Sequence, residues 1–366
     1  MAGDTGARNG RRRPTVADVA REAGVSVATA GRALGNYGRV RDDLRERVQE
    51  AAARLGYEPN VVARSMRSGG TRSIGFVAAD IANPYFAAAM RGVCDVAHEE
   101  GYEAILFNVD DRLDVERNAI KVLLEKQIDG IVVSPISVTD MGHLRRAQER
   151  GVPVVLLDRT SARMNADSVV IDNEAAAYGA MAHLLELGHR RVGLVASVVP
   201  HEGPELVVRE DTGRLGVRGA VRPSIDRIRG YLAALDAYDA VSARELVRFT
   251  SLDAVRYAEA EADALLMLAE PPTAVFAADN VTTQGVFTAA RKRGVKIPTE
   301  VSLVGFDDLD WTALVDPPVT VVAQSPMDMG RTAAERLFRR IRGEDRPGAR
   351  IVLPTRLEVR SSTAPL

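Results

Sequence analysis

Short, wholly apolar runs that alternate with amphipathic helical stretches restrict this chain more than any other feature. IGFVAA, AILFNV, GIVVSP and PVVLLD are each followed by a helical segment such as PYFAAAMRGVCDVAHEEG or LDVERNAIKVLLEKQ. A strand that is apolar at every position has no face to give to water, so it belongs in a parallel sheet covered by helices on both sides. The series begins at Ser73 and resumes after Asp172 with EAAAYGAMAHLLELG, RVGLVAS, a helix near 224–237, TAVFAAD, a helix near 282–293, and VSLVGFD. Two series predict two similar α/β lobes. Ligands of open parallel sheets sit beyond the carboxyl ends of the strands, which places a binding cleft between the lobes.

The segment before Ser73 reads differently. TVADVAREAGVSVATAGRALGN, 15–36, has the pattern of a helix-turn-helix. Thr15 caps a first helix with Asp18 three residues on, Val16, Val19, Ala20 and Ala23 share one face, and Gly24 stops it. Ser26 caps a second helix that packs back through Ala30, Ala33 and Leu34. Val27, Ala28, Thr29, Gly31 and Arg32 remain outward, and a short helix presented by its N-terminal end is the geometry that enters a major groove. A third helix over 42–55 carries Leu44, Val48, Ala51 and Leu55 on one face, with Gly56 as its stop. Pro59 closes this headpiece, and NVVARSMRSGGTRS reads as a hinge.

A helical hairpin inside a larger core would show the same pattern, and charge decides against it. Residues 1–72 hold 14 Arg, no Lys and 8 acidic residues, a net of +6, while 73–366 hold 34 basic and 42 acidic residues, a net of −8. A basic head on an acidic body is what contact with phosphate at one end requires.

No apolar run approaches the roughly 18–20 residues of a membrane span, and Arg11–Arg13 are followed by no apolar segment, so a cytoplasmic protein without membrane contact is expected. Residues 1–13 read as a disordered basic tail. Cys94, the single cysteine, sits in a helical setting that suits a buried small residue better than a nucleophile. P-loop, G-x-S-x-G and H-E-x-x-H motifs are absent and the five histidines are scattered, so neither an enzyme nor a cofactor or metal site is expected. A transport protein with the same two-lobed core would have no use for the basic head. The stretch 198–223 is too long for an ordinary loop and reads as an insertion, either a partly ordered flap over the cleft or a mobile surface loop.

Taken in order, TVADVAREAGVSVATAGRAL, RERVQEAAARLGYEPNVVARSM, IANPYF, DGIVVSP, GVPVVLLDR, VVIDN, LLELGHRRVGLV, PPTAVFAADN, PTEVSLVGFDD and DPPVTVVAQ resemble the LacI/GalR (lactose-repressor) family of transcription regulators over nearly the whole chain. The resemblance implies an α/β fold with an N-terminal three-helix headpiece over 14–59, a hinge helix and linker over 60–71, and a two-lobed periplasmic-binding-protein-like core with parallel sheets. The core is expected to divide into an N-subdomain of 72–173 and 297–328 and a C-subdomain of 174–296 and 329–366.

By position, the resemblance assigns Ser26, Thr29 and Arg32 to phosphates or base edges, Val27 and Ala28 to operator preference, and Tyr57, Asn60 and Arg67 to DNA contact. Met66 takes the place of a leucine that wedges between base pairs in the minor groove. It also implies a homodimer on double-stranded operator DNA and a small-molecule effector in the cleft, where Tyr85, Phe86, Asp158, Arg159, Arg227, Asn280, Trp311 and Gln324 are the expected lining. An aromatic face with carboxylate, amide and guanidinium groups suits a polyhydroxylated ligand, so a sugar or sugar derivative is favoured. Tyr85 and Phe86 can also be read as core, whereas Trp311 falls in a polar loop.

Three departures from the family pattern stand out. Gly31 replaces a serine within the recognition helix, where glycine costs about 1 kcal/mol relative to alanine. Arg41 replaces a serine cap at the third helix. Asp279-Asn280 stands in place of Asn-Asp. The expectation is a repressor, dimeric because no further helix follows SSTAPL, in which ligand and DNA change each other's affinity by one factor. A corepressor-type or activating regulator with a non-sugar effector is the alternative.

Overall fold

The computed structural model describes residues 14–35, 38–57, 70–198, 205–219, 222–251 and 255–366. They fall into two compact units, 1–72 and 73–366. The tail 1–13, Asn60, Met66, Arg67 and nearly all of the expected hinge lie outside the described residues.

The first unit contains α1 (Val16–Ala23), α2 (Val27–Gly35) and α3 (Asp42–Leu55). Local chemistry sets their ends. The Thr15 N–H donates to Asp18 Oδ2 at 2.9 Å while Thr15 Oγ1 accepts from the Asp18 N–H at 3.4 Å, a reciprocal capping box. Gly24 ends α1 at φ +64° and Gly56 ends α3 at φ +62°, a conformation in which a Cβ is strained. Arg41 gives α3 no side-chain cap and pairs with Asp43 instead. Val19, Ala20, Ala23, Ala30, Ala33, Val48 and Ala51 form the small core. Arg47 Nη2 donates to the Ala23 carbonyl at 2.8 Å, tying α3 to the end of α1.

The second unit has two six-stranded sheets. β1 (Ser73–Ala78), β2 (Glu103–Asn108), β3 (Gly130–Val133), β4 (Val154–Leu157), β5 (Asp167–Ile171) and β13 (Arg350–Leu353) form the first, in the order β13-β5-β4-β3-β1-β2, with every pairing parallel. β6 (Val192–Val198), β9 (Val247–Ser251), β10 (Ala274–Ala277), β11 (Ser302–Phe306), β12 (Thr320–Ala323) and β14 (Arg356–Glu358) form the second, in the order β14-β12-β11-β10-β6-β9. Only its edge strand β14 runs antiparallel. The orders match strand for strand, so the lobes repeat one design, and each reverses its winding direction beside its first strand. Side chains beyond the carboxyl ends at these switch points converge on the cleft.

α4 (Pro84–Glu99), α5 (Leu113–Glu125), α6 (Gly142–Glu149) and α12 (Pro326–Ile341) cover the first sheet; α7 (Asn173–Glu186), α8 (Pro223–Ala237), α9 (Val255–Leu266) and α10 (Asn280–Arg293) cover the second. The expected subdivision of the core is therefore corrected at its end. Within 297–328, β11 and β12 belong to the second sheet, whereas within 329–366 most of α12 and β13 belong to the first. Asp167, buried at the start of β5, holds this returning segment: it accepts from Arg336 Nη2 at 3.1 Å, Arg340 Nε at 2.8 Å and the Ala349 N–H at 2.8 Å. α4 and α12 approach so closely that a Cβ built on Gly92 lies 2.1 Å from the Met327 carbonyl oxygen, and one on Gly330 lies 1.9 Å from that of Ala89.

The 198–223 stretch contains a hairpin of β7 (Glu205–Val208) and β8 (Leu215–Arg218), turned by Gly213 at φ +68°. Arg209 pairs with Asp236 at 2.6 Å, Arg214 pairs with Asp236 and Asp239, and the Leu215 N–H donates to Ser242 Oγ at 3.2 Å. These contacts lay the hairpin along α8. None of the hairpin's residues lines the cleft, whereas Arg222 and Pro223 at the end of the stretch do, so the flap reading is corrected to a hairpin on the surface whose trailing end joins the cavity wall. Cys94 is half-buried rather than buried.

Candidate effector cavity and nucleic-acid interface

In the first unit, α2 presents the residues singled out for DNA. Ser26, Val27, Ala28 and Arg32 are exposed, Val27 to 55%, while Thr29 is half-buried. Ser26 Oγ accepts from the Thr29 N–H at 3.1 Å and lies 2.8 Å from Thr29 Oγ1. No acidic residue occupies the first turn of α2, so the positive end of its dipole is left open to an anion such as phosphate. Tyr57 packs partly buried against the three-helix core. Gly31 sits in mid-helix without interrupting it.

In the second unit, a cavity of about 430 Å³ opens where the carboxyl ends of the two sheets face each other. All eight residues expected to line the cleft do so: Tyr85, Phe86, Asp158, Arg159, Arg227, Asn280, Trp311 and Gln324. Tyr85 and Phe86 lie in the first turn of α4, each 5% exposed, with rings edge to face at 5.0 Å, so they serve both core and wall. The Tyr85 hydroxyl donates to Met329 Sδ at 3.3 Å. Burial, then the charges of Asp158 and Asp307, push its pKa well above the usual phenol value, so it stays protonated.

Asp158 and Asp307 hold equivalent places in the two lobes. Each directly follows the third strand of its sheet from the antipodal edge, at φ +66° and +72° respectively. Each donates its N–H at 2.9 Å to the neighbouring strand, Asp158 to the Val169 carbonyl and Asp307 to that of Val322. Burial raises both carboxyl pKa values. Arg159 and Arg227 oppose the rise at Asp158, and Arg227 with the amides of Gln324 and Asn280 opposes it at Asp307. Gln324 Nε2 donates to Asp307 Oδ1 at 2.5 Å, and Asn280 Nδ2 lies 3.2 Å from Asp307 Oδ2.

The arginines are held rigidly. Arg227 is stacked 3.5 Å over the Phe306 ring, with Nε donating to Asn173 Oδ1 at 2.8 Å and Nη1 to the Ala278 carbonyl at 2.7 Å. Arg159 donates to the Pro135 carbonyl at 3.1 Å and to Asp111 at 3.2 Å. Asp279 caps α10, accepting the Thr282 N–H at 2.8 Å and that of Ser197 at 3.0 Å. The exchanged Asp279-Asn280 pair thus turns its charge to the helix and its amide to the cavity.

Trp311 lies on a five-residue helix, α11 (Asp310–Leu314), rather than in a loop, and packs edge to face on Phe287 at 6.0 Å. Sequence reading missed Asp307, although it stands inside VGFDD, and Asn83, inside IANPYF, which caps α4 by accepting the Tyr85 N–H at 3.1 Å. Arg222, at the end of the 198–223 insertion, also lines the cavity and reaches across the cleft to donate to the Ile136 carbonyl. Among the described residues no cluster of potential metal ligands exists, and no helix is long and apolar enough to cross a membrane.

Comparison with known proteins bears on both units. Residues 15–60 match the family model for bacterial regulatory proteins of the lacI family, and residues 181–363 match a periplasmic binding protein-like domain. Catabolite control protein A of Priestia megaterium is 32% identical over 95% of this chain and 99% of its own length. The HTH-type transcriptional repressor CytR of Escherichia coli K12 is 30% identical over 96% of this chain and 97% of its own. A solved complex of the transcriptional regulator CelR with cellobiose superposes with a TM-score of 0.68 at 29% identity, covering 96% of this chain and all of that one. With its exposed α2 and its cleft between two repeated lobes, the chain belongs to the lacI family of bacterial regulatory proteins, DNA-binding transcription regulators rather than enzymes.

Proposed function

We propose that this protein is a repressor that binds a pseudo-palindromic operator as a homodimer and is released by a carbohydrate effector held between the core lobes. The observation that carries the effector reading is the arrangement around Asp307. A buried carboxylate gathers Gln324, Asn280 and Arg227 at one wall while Tyr85, Phe86 and Trp311 supply ring faces at another. Sugar hydroxyls need paired donors and acceptors, and sugar C–H faces pack on rings. Cellobiose in CelR and the repressor role of CytR support the same reading.

On the DNA side, Ser26, Thr29, Arg32, Tyr57, Asn60 and Arg67 hold the backbone, and Val27 with Ala28 read base edges by shape or thymine methyl contact. Met66 wedges the minor groove. Its replacement by alanine lowers specific binding far more than nonspecific binding.

Selection of genomic DNA fragments by the purified protein, repeated with a panel of sugars, tests the proposal. An enriched pseudo-palindrome that is released by one sugar supports it. Binding that no sugar weakens, or that a sugar strengthens, replaces induction with corepression or with a non-carbohydrate effector.

A further inference from the structure

The cleft does not end at Trp311. A second hollow, of about 450 Å³, lies on the outer side of this residue and is lined by Gln284, Phe287, Thr288, Arg291, Lys292 and Val315, with Gln284 and Trp311 common to both spaces. Gln284, Thr288 and Arg291 recur at spacings of four and three on α10, which puts them on one face of that helix. Trp311 and Val315 line the opposite wall. The floor is aromatic, with Trp311 and Phe287 edge to face, and the rim carries an amide, a hydroxyl and a guanidinium. Lys292 is engaged by Glu259 at 2.6 Å.

An aromatic floor under hydrogen-bonding groups repeats the chemistry of the inner cavity rather than that of a protein-docking patch. We infer that the two hollows are successive subsites of one elongated site, and that the effector is a neutral disaccharide or longer oligosaccharide. One sugar unit lies against Asp307 and Arg227, and the next lies outside Trp311 along α10. This rests on the carbohydrate reading above and extends it to ligand length. Arg209 and Arg214 turn away from the cleft to Asp236, and Arg222, which lines the inner cavity, is engaged by the Ile136 carbonyl.

The test is calorimetric titration of the full chain with matched pairs of mono- and disaccharide: glucose with maltose and with cellobiose, xylose with xylobiose, mannose with mannobiose, galactose with galactobiose. The fluorescence of Trp311, the sole tryptophan, is followed in parallel. One disaccharide is expected to bind at least 10-fold tighter than its monosaccharide. Thr288→Arg, which fills the outer hollow, and Arg291→Ala, which removes a rim donor, are each expected to abolish that advantage without changing monosaccharide affinity. Equal binding within every pair, untouched by either variant, overturns the two-subsite inference and leaves the carbohydrate reading standing. No binding in any pair overturns both.

Discussion

Asn280 Nδ2, at the start of α10 in the second lobe, donates to Asn83 Oδ1 of the first lobe at 2.9 Å. The same amide nitrogen lies 3.2 Å from Asp307 Oδ2, so one side chain joins the lobes and faces the cavity at once. Asn280→Ala removes both links. Effector affinity is expected to fall about 10- to 100-fold, the loss of one or two hydrogen bonds involving a charged group, while operator affinity without effector changes less than threefold. Titration of a labelled operator with and without effector separates the two quantities.

Effector binding should weaken in mild acid. The carboxyl pKa values of Asp158 and Asp307 are raised, burial being the larger cause at each, so their carboxylates are lost at a pH above the usual carboxylate range. Protonation removes acceptors for sugar hydroxyls, and affinity drops as pH falls through the raised values. For folding the sign is opposite. A carboxyl whose pKa is raised by folding binds its proton more tightly when folded, so these two groups favour the folded state at acid pH and oppose it above. Asp307→Asn should flatten the pH dependence of effector affinity, measured by titration across pH 4.5 to 8.

Asp167 behaves in the reverse sense. Its bonds to Arg340, Ala349 and Arg336 outweigh burial and lower its pKa to about 2. Its contribution to stability is complete above the unfolded carboxyl value near 3.9 and is lost as pH falls toward about 2. Asp167→Asn should remove this acid limb and destabilise the protein at pH 7. Denaturant melts at pH 7, 4 and 2.5 check it.

Gly92→Ala or Gly330→Ala should each cost about 1–3 kcal/mol, the range for overpacking. Their added methyl meets backbone carbonyl oxygens at 2.1 and 1.9 Å, and backbone cannot swing aside as a side chain does. Thermal unfolding of the variants reads the cost.

Exposed Val27 presents only a methyl-bearing surface on α2, and the proposed reading puts that surface against base edges. Val27→Gln, which can pair with adenine in the major groove, should move base preference at one operator position by about 1–3 kcal/mol. Binding selection with a randomised operator measures the change.

Much of the fold is legible because its causes are local. Thr15, Asp18, Gly24, Ser26 and Gly56 set helix ends through bonds to residues within a few positions, and the apolar strands declare their own burial. The cavity residues are legible for a related reason: seven of the eight stand within two places of a strand or helix boundary that the sequence marks, and Arg227 lies one turn into its helix. Asp307 carries the same signal, standing directly after β11 as Asp158 stands after β4, and escapes only because VGFDD offers two adjacent aspartates with nothing local to choose between them. The bond of Arg222 is not legible because its partner Ile136 is in the other lobe. The division of 297–366 escapes because passage between lobes at Gln324 and again between β13 and β14 leaves no mark in composition.

The chain crosses between the lobes three times, after β5, between β12 and α12, and between β13 and β14. One tie would let two bodies tumble and two would let them twist, whereas three short ties act as a leaf spring. Opening one face of the cleft therefore bends all three ties together, so their summed stiffness, as much as any pocket residue, governs how large a movement a bound molecule can impose.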